Sequence, residues 1–385
     1  MRGLMPAKRS EFQLALARDC LRMLQGHVEI PRVNDQRLLD HVVGADGSEE
    51  GFLSGGFLTA VGLMSMLQLA GRPISSFRRI LDFGCGSGRV THWLRHLAGG
   101  AELTGADINP EAIAWCRENL DFEANFICNG PKPPLPLAAE SADLIYGISV
   151  LTHLDEDLQF QWLRELHRVA APGAIVMLTV HTDYRAVRTL SQPAFAKYRR
   201  SGFFYQRAAS DDKTVAGLPD FYQVAFHTRN YIARKWTRLF EPLLSVAHGP
   251  FWSQQAIVLR KRDRTTPRLL KPRWKHVKLP LGGMDTPTFG GLPQGDIQHV
   301  AGWAFDPDSD ERRNVTAWVN GKPAEMRCIE VERDDVKAAF PDIPHAGNAG
   351  FMLNVELPAN DHGFHVIWFT AGDCPVPVSA TYVTG

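Results

Sequence analysis

The sequence predicts an α/β protein with a doubly wound parallel sheet, followed by a smaller all-β domain. A strand, a glycine-rich turn and a helix start follow one another over residues 80–91. Apolar runs of strand length then alternate with helical patterns as far as residue 180, which is typical of a parallel sheet built from strand–helix–strand units. After residue 283, short alternating runs separated by glycine and proline indicate a β-sandwich.

Length and composition are those of a globular chain of two or three domains. Of the 385 residues, 44% are hydrophobic, and Lys+Arg and Asp+Glu both number 42. This balance gives no indication of a nucleic-acid partner. The six cysteines include no C-x-x-C pair, which argues against a zinc site and a disulfide framework and predicts a reducing, cytoplasmic location.

Residues 1–74 are predicted to form an N-terminal helical region. Residues 10–25 have the pattern of an amphipathic helix, whereas residues 26–50 look irregular. The uncharged run over residues 51–71 is long enough to raise a membrane span, but it contains glycine, serine, threonine and glutamine. We therefore favour a helix over residues 59–70 that packs under the sheet.

The glycine turn after the first predicted strand is the predicted ligand site. Gly84, Gly86 and Gly88 stand at alternate positions behind Asp82. Glycine lets the backbone turn tightly and approach a ligand. A dinucleotide site requires its last glycine at position 89, where this chain has arginine.

A second predicted strand, residues 101–107, ends in another acid. Asp107 stands at the spacing expected of a carboxylate that hydrogen-bonds a cofactor ribose. The alternative for Asp107 is a helix-capping or loop aspartate.

The D-x-G-x-G-x-G turn and the second acid resemble the first motifs of class I S-adenosylmethionine (SAM)-dependent methyltransferases, over about residues 75–262. The resemblance implies a doubly wound seven-stranded sheet, SAM as the cofactor and methyl transfer as the reaction. An acid at Asp82 suits the cationic amine and sulfonium of SAM. The residues that the resemblance places at the cofactor are Asp82, Gly84, Cys85, Gly86, Gly88, Asp107, Ile108, Asn129, Gly130 and Ser149.

Two later strands complete the predicted site. Asn129 follows the third strand, residues 125–128, at the position where similar methyltransferases meet adenine; a plain Asn-Gly turn is the alternative. The fourth strand, residues 141–149, ends at Ser149, and His153 follows shortly after. We expect Ser149 and His153 near the transferred methyl because parallel strands present their carboxyl ends to ligands.

Residues 183–227 interrupt the usual order of this fold and are too long for a simple connection. Their aromatic and arginine content predicts a cap over the substrate, with a packed excursion around an aromatic mini-core as the alternative. The segment ends at His227, which with His153 is a predicted catalytic base. His181 is a further candidate, and a structural or capping role is the alternative for each histidine.

The C-terminal third is predicted to be separate from the methyltransferase region. Residues 263–282 are predicted to be a basic linker, which could also touch an anionic membrane surface. In residues 283–385, Asn320-Gly321 is a strong hairpin signal. Through Gly302-Trp303-Ala304-Phe305-Asp306, Arg333-Asp334-Asp335-Val336 and Gly350-Phe351, these residues resemble an accessory β-sandwich found beside bacterial glycosyltransferases and methyltransferases. We expect residues 1–262 to fold without this sandwich.

The predicted function is methyl transfer from SAM to an acceptor, with no nucleic acid and no metal involved. The accessory sandwich suggests a sugar of a surface glycan or glycolipid precursor, and a small metabolite is the alternative acceptor. A SAM-fold binding protein without turnover and a dinucleotide oxidoreductase are the other classes considered; the arginine at position 89 disfavours the second.

Overall fold

The computed structural model describes most of the chain, in segments separated by short gaps. The described residues are 6–25, 33, 35–43, 48–95, 97, 100–120, 122–206, 223–262, 274–293, 297–311, 314–324, 329–359 and 363–384.

The first unit is a mixed sheet with helices on both faces. Its strands are β1 (Arg79–Phe83), β2 (Glu102–Asp107), β3 (Ala124–Cys128), β4 (Ala142–Gly147), β5 (Ala170–His181), β6 (Phe203–Gln206), β7 (Val224–His227), β8 (Glu241–Ala247), β9 (Gln254–Arg260) and β10 (Lys275–Lys278). The order is β10-β8-β9-β5-β4-β1-β2-β3, with β6 and β7 attached beside β5. Strands β1 to β5 are parallel, and β9 is antiparallel to β5 and β8. The predicted doubly wound sheet is therefore confirmed, and its order reverses between β1 and β4, where such sheets bind ligands.

Three helices precede the sheet: α1 (Pro6–Gln25), α2 (Gln36–Val43) and α3 (Glu49–Leu69). The expectation of irregular structure over residues 26–50 is wrong for α2. Helix α3 begins ten residues earlier than predicted because the Ser48 hydroxyl caps it by accepting from the Gly51 amide.

By length and composition α3 is the one described helix that could cross a membrane, and 67% of its most apolar window is buried in the protein. The hydroxyls of Thr59 and Ser65 donate to backbone oxygens one turn earlier, so the helix buries few unsatisfied polar groups. Helix α3 is therefore a core helix, as the sequence favours.

Helices α4 (Thr91–Leu94), α5 (Pro110–Asn119) and α6 (Glu156–Val169) connect the parallel strands. Asn109 caps α5 and Asp155 caps α6, each by accepting from backbone amides of the first turn. Helix α4 is a single turn.

The insertion contains α7 (Asp183–Thr189) and α8 (Gln192–Ser201) besides β6 and β7, and α9 (Arg229–Lys235) follows it. Tyr198 and Phe226 are fully buried with Ala186 and Leu190 in a small core of their own. The described part of the insertion is thus packed around its own aromatic core, as the alternative prediction has it. The rest of the predicted cap falls on residues 207–222, which lie outside the described residues.

The second unit is an antiparallel sandwich of two four-stranded sheets among the described residues. One sheet holds β11 (Leu281–Thr286), β12 (Ile297–Phe305), β15 (Ile329–Val331) and β16 (Gly350–Glu356), and the other holds β13 (Val315–Val319), β14 (Lys322–Pro323), β17 (Phe364–Ala371) and β18 (Ser379–Thr384). A short helix, α10 (Asp334–Ala339), lies between β15 and β16. Asn320 and Gly321 both have positive φ and join β13 to β14, as a two-residue hairpin turn requires.

The second half of the predicted linker, residues 263–282, forms strands in the structure. Lys275–Lys278 extends the first sheet as a parallel partner of β8, and Leu281 already belongs to the sandwich. Val277 and Leu279 are buried in the main core, and their burial holds this strand on the sheet although the lysines beside it are charged. Residues 263–273 lie outside the described residues.

The two units share one hydrophobic core. Helix α1 packs on the sandwich, where the Trp368 indole donates to Gln13 Oε1 at 2.8 Å inside the core. On α3, the Phe57 ring lies 5.3 Å from Trp93 beside the first sheet and 5.6 Å from Tyr382 of β18. This shared core argues against the expectation that residues 1–262 fold without the sandwich.

Candidate functional site

A cavity opens at the carboxyl ends of β1, β2 and β4, at the point where the strand order reverses. The predicted cofactor residues that line it are Asp82, Gly84, Cys85, Gly86, Asp107, Ile108, Asn129 and Ser149. Gly88 and Gly130 do not line it. Leu38 of α2 also lines the cavity, so the N-terminal helices form part of its wall.

Two glycines of the turn have different roles. Gly84 has a φ of 82°, and a Cβ there would lie 2.2 Å from Val150 Cγ2, so no side chain fits between the turn and the loop after β4. Gly88 has a φ of 71° and faces Leu120 and Cys116 at the end of α5. Gly88 therefore permits packing behind the turn rather than contact with a ligand.

Asp107 holds the glycine turn in place. Its Oδ2 accepts from the Gly86 amide at 2.8 Å, and its Oδ1 accepts from the Asn109 amide at 2.8 Å. A carboxylate has about four lone-pair sites, so Asp107 can accept further hydrogen bonds from hydroxyls in the cavity.

Asp82 is a buried carboxyl, 4% exposed, at the end of β1. Its Oδ2 accepts from Thr91 Oγ1 at 2.5 Å and from the Tyr146 hydroxyl at 2.8 Å. Burial raises its pKa to about 7, against the opposing effect of both hydrogen bonds. A cationic group bound in the cavity would restore the charged carboxylate.

Cys85 contributes an apolar wall. A hydrogen bond with Cys116 and burial raise the pKa of the Cys85 thiol. The thiol is therefore neutral at physiological pH, and it packs with Ile113, Leu120 and Phe126.

Asn129 presents an unused acceptor. Its Nδ2 donates to the Gly130 carbonyl at 2.8 Å, whereas its buried Oδ1 has no partner among the described residues. An amino group on the edge of a base would satisfy this oxygen. Gly130 thus orients Asn129 although it does not itself line the cavity.

These residues fit SAM. Asp107 offers acceptors for ribose hydroxyls, Asn129 Oδ1 offers one for the adenine amino group, and Asp82 offers a negative charge for the cationic end. Apolar walls of the cavity come from Ile108, Ala112, Pro131, Leu154 and Trp162.

Ser149 lines the cavity just after the end of β4. It has a φ of 61°, a left-handed conformation that costs a non-glycine residue of order 1–3 kcal/mol and clusters at functional sites. The Thr179 hydroxyl accepts from its amide at 2.7 Å, and Gln254 Nε2 donates to its Oγ at 2.6 Å.

His153 lies between Val150 and Leu154, which line the cavity, but is not a lining residue itself. Its Nδ1 is 2.8 Å from the Gln223 carbonyl, which can only accept, so Nδ1 carries the proton of the neutral ring. Burial lowers the pKa of His153 to about 4.

The expectation that His227 acts as a base is not met. His227 is fully buried and does not line the cavity. Gln159 Nε2 donates to the Leu151 and Leu154 carbonyls, so its Oε1 accepts from His227 Nε2 at 2.8 Å. The imidazole therefore ties β7 to the loop after β4.

Sequence reasoning missed Gln254, which pairs across the sheet with His181. Gln254 Oε1 and His181 Nδ1 are both buried without a partner among the described residues. Burial and, to a smaller extent, the charge of the exposed Arg185 lower the pKa of His181 to about 3. No local motif indicates Gln254, because its position depends on the antiparallel pairing of β9 with β5.

Comparison with known proteins agrees with this geometry. Residues 80–173 match the family model described as a methyltransferase domain. Trans-aconitate 2-methyltransferase of Delftia acidovorans is 31% identical over 137 residues, which is 34% of this chain and 50% of that protein. A malonyl-[acyl-carrier protein] O-methyltransferase of Pectobacterium atrosepticum is 30% identical over 122 residues, covering 30% of this chain and 43% of that protein.

The chain thus spans half or less of the length of these curated relatives. Among solved structures, a SAM-dependent methyltransferase of Methanosarcina mazei aligns with a TM-score of 0.36 and 22% identity, over 48% of this chain and 92% of that one. Residues 80–173 thus match a methyltransferase domain, and they lie in a sheet whose β3-β2-β1-β4-β5 order surrounds the glycine turn.

Proposed function

We propose that this protein transfers the methyl group of SAM to an acceptor bound at the carboxyl edge of the first sheet. The observation that carries the proposal is the meeting of Asp82 and Asp107, from neighbouring strands, at one cavity beside the glycine turn. A dinucleotide would bring a pyrophosphate toward the buried carboxyl of Asp82, whereas the cations of SAM match it.

Bound SAM supplies an electrophilic methyl group. The protein's task is then to orient two reactants, an effect worth up to ~7–11 kcal/mol in well-aligned systems. Asp107 and Asn129 fix the nucleoside end, and Ser149, at the far end of the cavity, borders the space where the acceptor meets the methyl.

A hydroxyl acceptor also needs a group that takes its proton. His153 is neutral above a pKa of about 4, and its Nδ1–H is held by the Gln223 carbonyl. The lone pair is therefore on Nε2. In our proposal Nε2 of His153, a residue that is only partly buried whereas His227 is fully buried, accepts the proton of the acceptor as the methyl is transferred.

Two acceptor classes are supported by separate observations. Trp252, two residues before Gln254, is 51% exposed with its ring 6.2 Å from Trp303 of the sandwich, and such a ring suits stacking on a sugar of a glycan precursor. The exposed Arg185 lowers the pKa of His153 and His181 through its charge, which suits a small acid. The names of the trans-aconitate and malonyl-carrier relatives favour the acid.

The test has two parts. Calorimetry with SAM and with NAD decides between the cofactors; binding of NAD alone would overturn the proposal. Incubation with SAM and two panels, nucleotide sugars and small di- and tricarboxylic acids, followed by mass spectrometry, then assigns the acceptor. Binding of SAM without any methylated product, also in a cell extract, would favour a non-catalytic SAM-binding protein.

Two wider expectations stay predictions. The cytoplasmic location depends on the cysteines, of which those in the described residues are free thiols. Peripheral membrane contact would involve the basic residues within 263–273, outside the described part of the chain.

A further inference from the structure

Arg89 carries a positive charge that no described residue pairs. It follows the last glycine of the turn and lines the cavity. No hydrogen bond or ion pair joins its guanidinium to any residue in the described ranges. The charge of Asp82 acts on Arg89 without the two forming an ion pair, and burial lowers the pKa of Arg89.

An arginine in this situation indicates an anionic ligand. Burying a charge is costly unless it is paired, and arginines are rarely buried without a partner. The guanidinium has five donors in a planar fork, which matches a carboxylate through two parallel hydrogen bonds.

Helix α3 fixes where this side chain lies. A Cβ on Gly56 would lie 2.5 Å from the Arg89 carbonyl oxygen and 2.9 Å from Arg89 Cγ, and a Cβ on Gly55 would lie 3.0 Å from Nη1. The glycine pair therefore lets the helix backbone lie against Arg89 from its carbonyl to Nη1, while the half-buried side chain still borders the cavity. Arg89 is held by packing, so little conformational entropy remains to be lost when a ligand binds.

We propose that Arg89 binds the carboxylate of the methionine end of SAM. This inference rests on the proposed function, because SAM has one anionic group and it lies at the same end as the amine and the sulfonium. Asp82 and Arg89 then act as a separated pair of opposite charges that the zwitterionic end of the cofactor bridges. The arginine that excludes the dinucleotide motif thereby acquires a role in recognising SAM.

The test compares SAM with decarboxylated SAM, which lacks only the carboxylate, by calorimetry on the full chain. In the wild-type protein we expect SAM to bind at least about tenfold more tightly, as a single charge-assisted hydrogen bond implies. In Arg89→Gln we expect that preference to vanish, through weaker binding of SAM and unchanged or tighter binding of decarboxylated SAM.

Arg79→Gln is the matched control, since Arg79 is exposed at the opposite end of β1. It should leave both affinities unchanged. Arg89→Lys keeps the charge but loses the planar fork, and should retain part of the preference. It also replaces Arg89→Gln if that variant fails to fold.

Three results would overturn the inference. The first is a wild-type protein that binds both ligands equally. The second is an Arg89→Gln variant that loses affinity for both to the same extent, which would make Arg89 purely structural. The third is unchanged SAM affinity in the folded variant. A wild-type protein that binds neither ligand would instead overturn the proposed function, and this inference with it.

Discussion

At the scale of single residues, the carboxylates of the cavity hold its backbone in place as well as giving it negative charge. Asp107 accepts two backbone amides, from Gly86 and Asn109, before any ligand is present. Its position is thus set by the protein, and a ribose would meet an acceptor that needs no rearrangement. Such preorganisation lowers the entropy lost on binding.

We predict that Asp107→Ala weakens SAM binding about tenfold to 10⁴-fold. One or two charge-assisted hydrogen bonds of roughly 1.5–3 kcal/mol each would be lost. Calorimetry measures the change, with Glu102→Ala as the control because Glu102 is exposed at the opposite end of β2. Unchanged affinity in a folded Asp107→Ala protein would remove this residue from the site.

The buried His227 predicts a pH dependence of stability. Its folded-state pKa is lowered to about 3 by burial, whereas an unfolded histidine titrates near 6.5. Between these values only the unfolded chain binds the proton, so stability falls as the pH falls. We expect the residue to cost about 3 kcal/mol at pH 4.5 relative to pH 7.

His227→Gln should remove that part of the acid sensitivity, because its amide can still donate to Gln159. Urea unfolding at pH 7 and pH 4.5 compares the variant with the wild type and with His299→Gln, a change at an exposed histidine of the sandwich. Equal losses of stability in all three proteins would contradict the prediction.

At the scale of elements, local signals predict those structures whose causes are local. The Asn109-Pro110 start of α5 and the Asn320-Gly321 turn each depend on a few neighbouring residues. Strand β10 depends instead on the free edge of β8, and a charged, proline-bearing sequence around it indicates a linker.

The candidate site likewise has parts that depend on neighbouring residues and parts that depend on distant ones. The acids and glycines after β1 and β2 are recognisable in sequence because the turn itself requires them. The burial of His227 depends on Gln159 of α6 and on the rings of Phe203 and Trp236. These contacts form only when the insertion packs, so spacing alone cannot distinguish a base from a structural histidine.

The close approach of α3 to the glycine turn predicts the effect of a single methyl group. Gly56→Ala should lower the free energy of unfolding by about 1–3 kcal/mol, since the new Cβ would overlap the Arg89 carbonyl. Ser54→Ala, in the same helix, is the control. Urea unfolding of both variants measures this, and a more stable Gly56→Ala protein would show that α3 does not press on the turn.

At the scale of the whole molecule, the sandwich and the methyltransferase domain are parts of one structure. Phe57 contacts Trp93, Phe289 and Tyr382, so its ring joins the helix behind the cofactor turn to the last strand. Changes in the sandwich should therefore reach the cofactor cavity through α3.

Deleting residues 283–385 should give a fragment that aggregates and binds a hydrophobic dye, because the faces of α1 and α3 lose their cover. Dye fluorescence and light scattering measure this, with Ile329→Ala in the full chain as the control, since Ile329 is 56% exposed. A monomeric fragment with wild-type affinity for SAM would show that the shared core is dispensable.

The packing of α1 on the sandwich also sets an order of events during synthesis. Arg9 donates to Thr370, Gln13 donates to Pro375 and Trp368 donates to Gln13, across 361, 362 and 355 positions. Helix α1 therefore leaves the ribosome well before the strands that it contacts. Synthesis proceeds at roughly 5–20 residues per second. The apolar face of α1, which includes Leu16 and Leu24, therefore stays uncovered by these strands for on the order of 20–70 seconds.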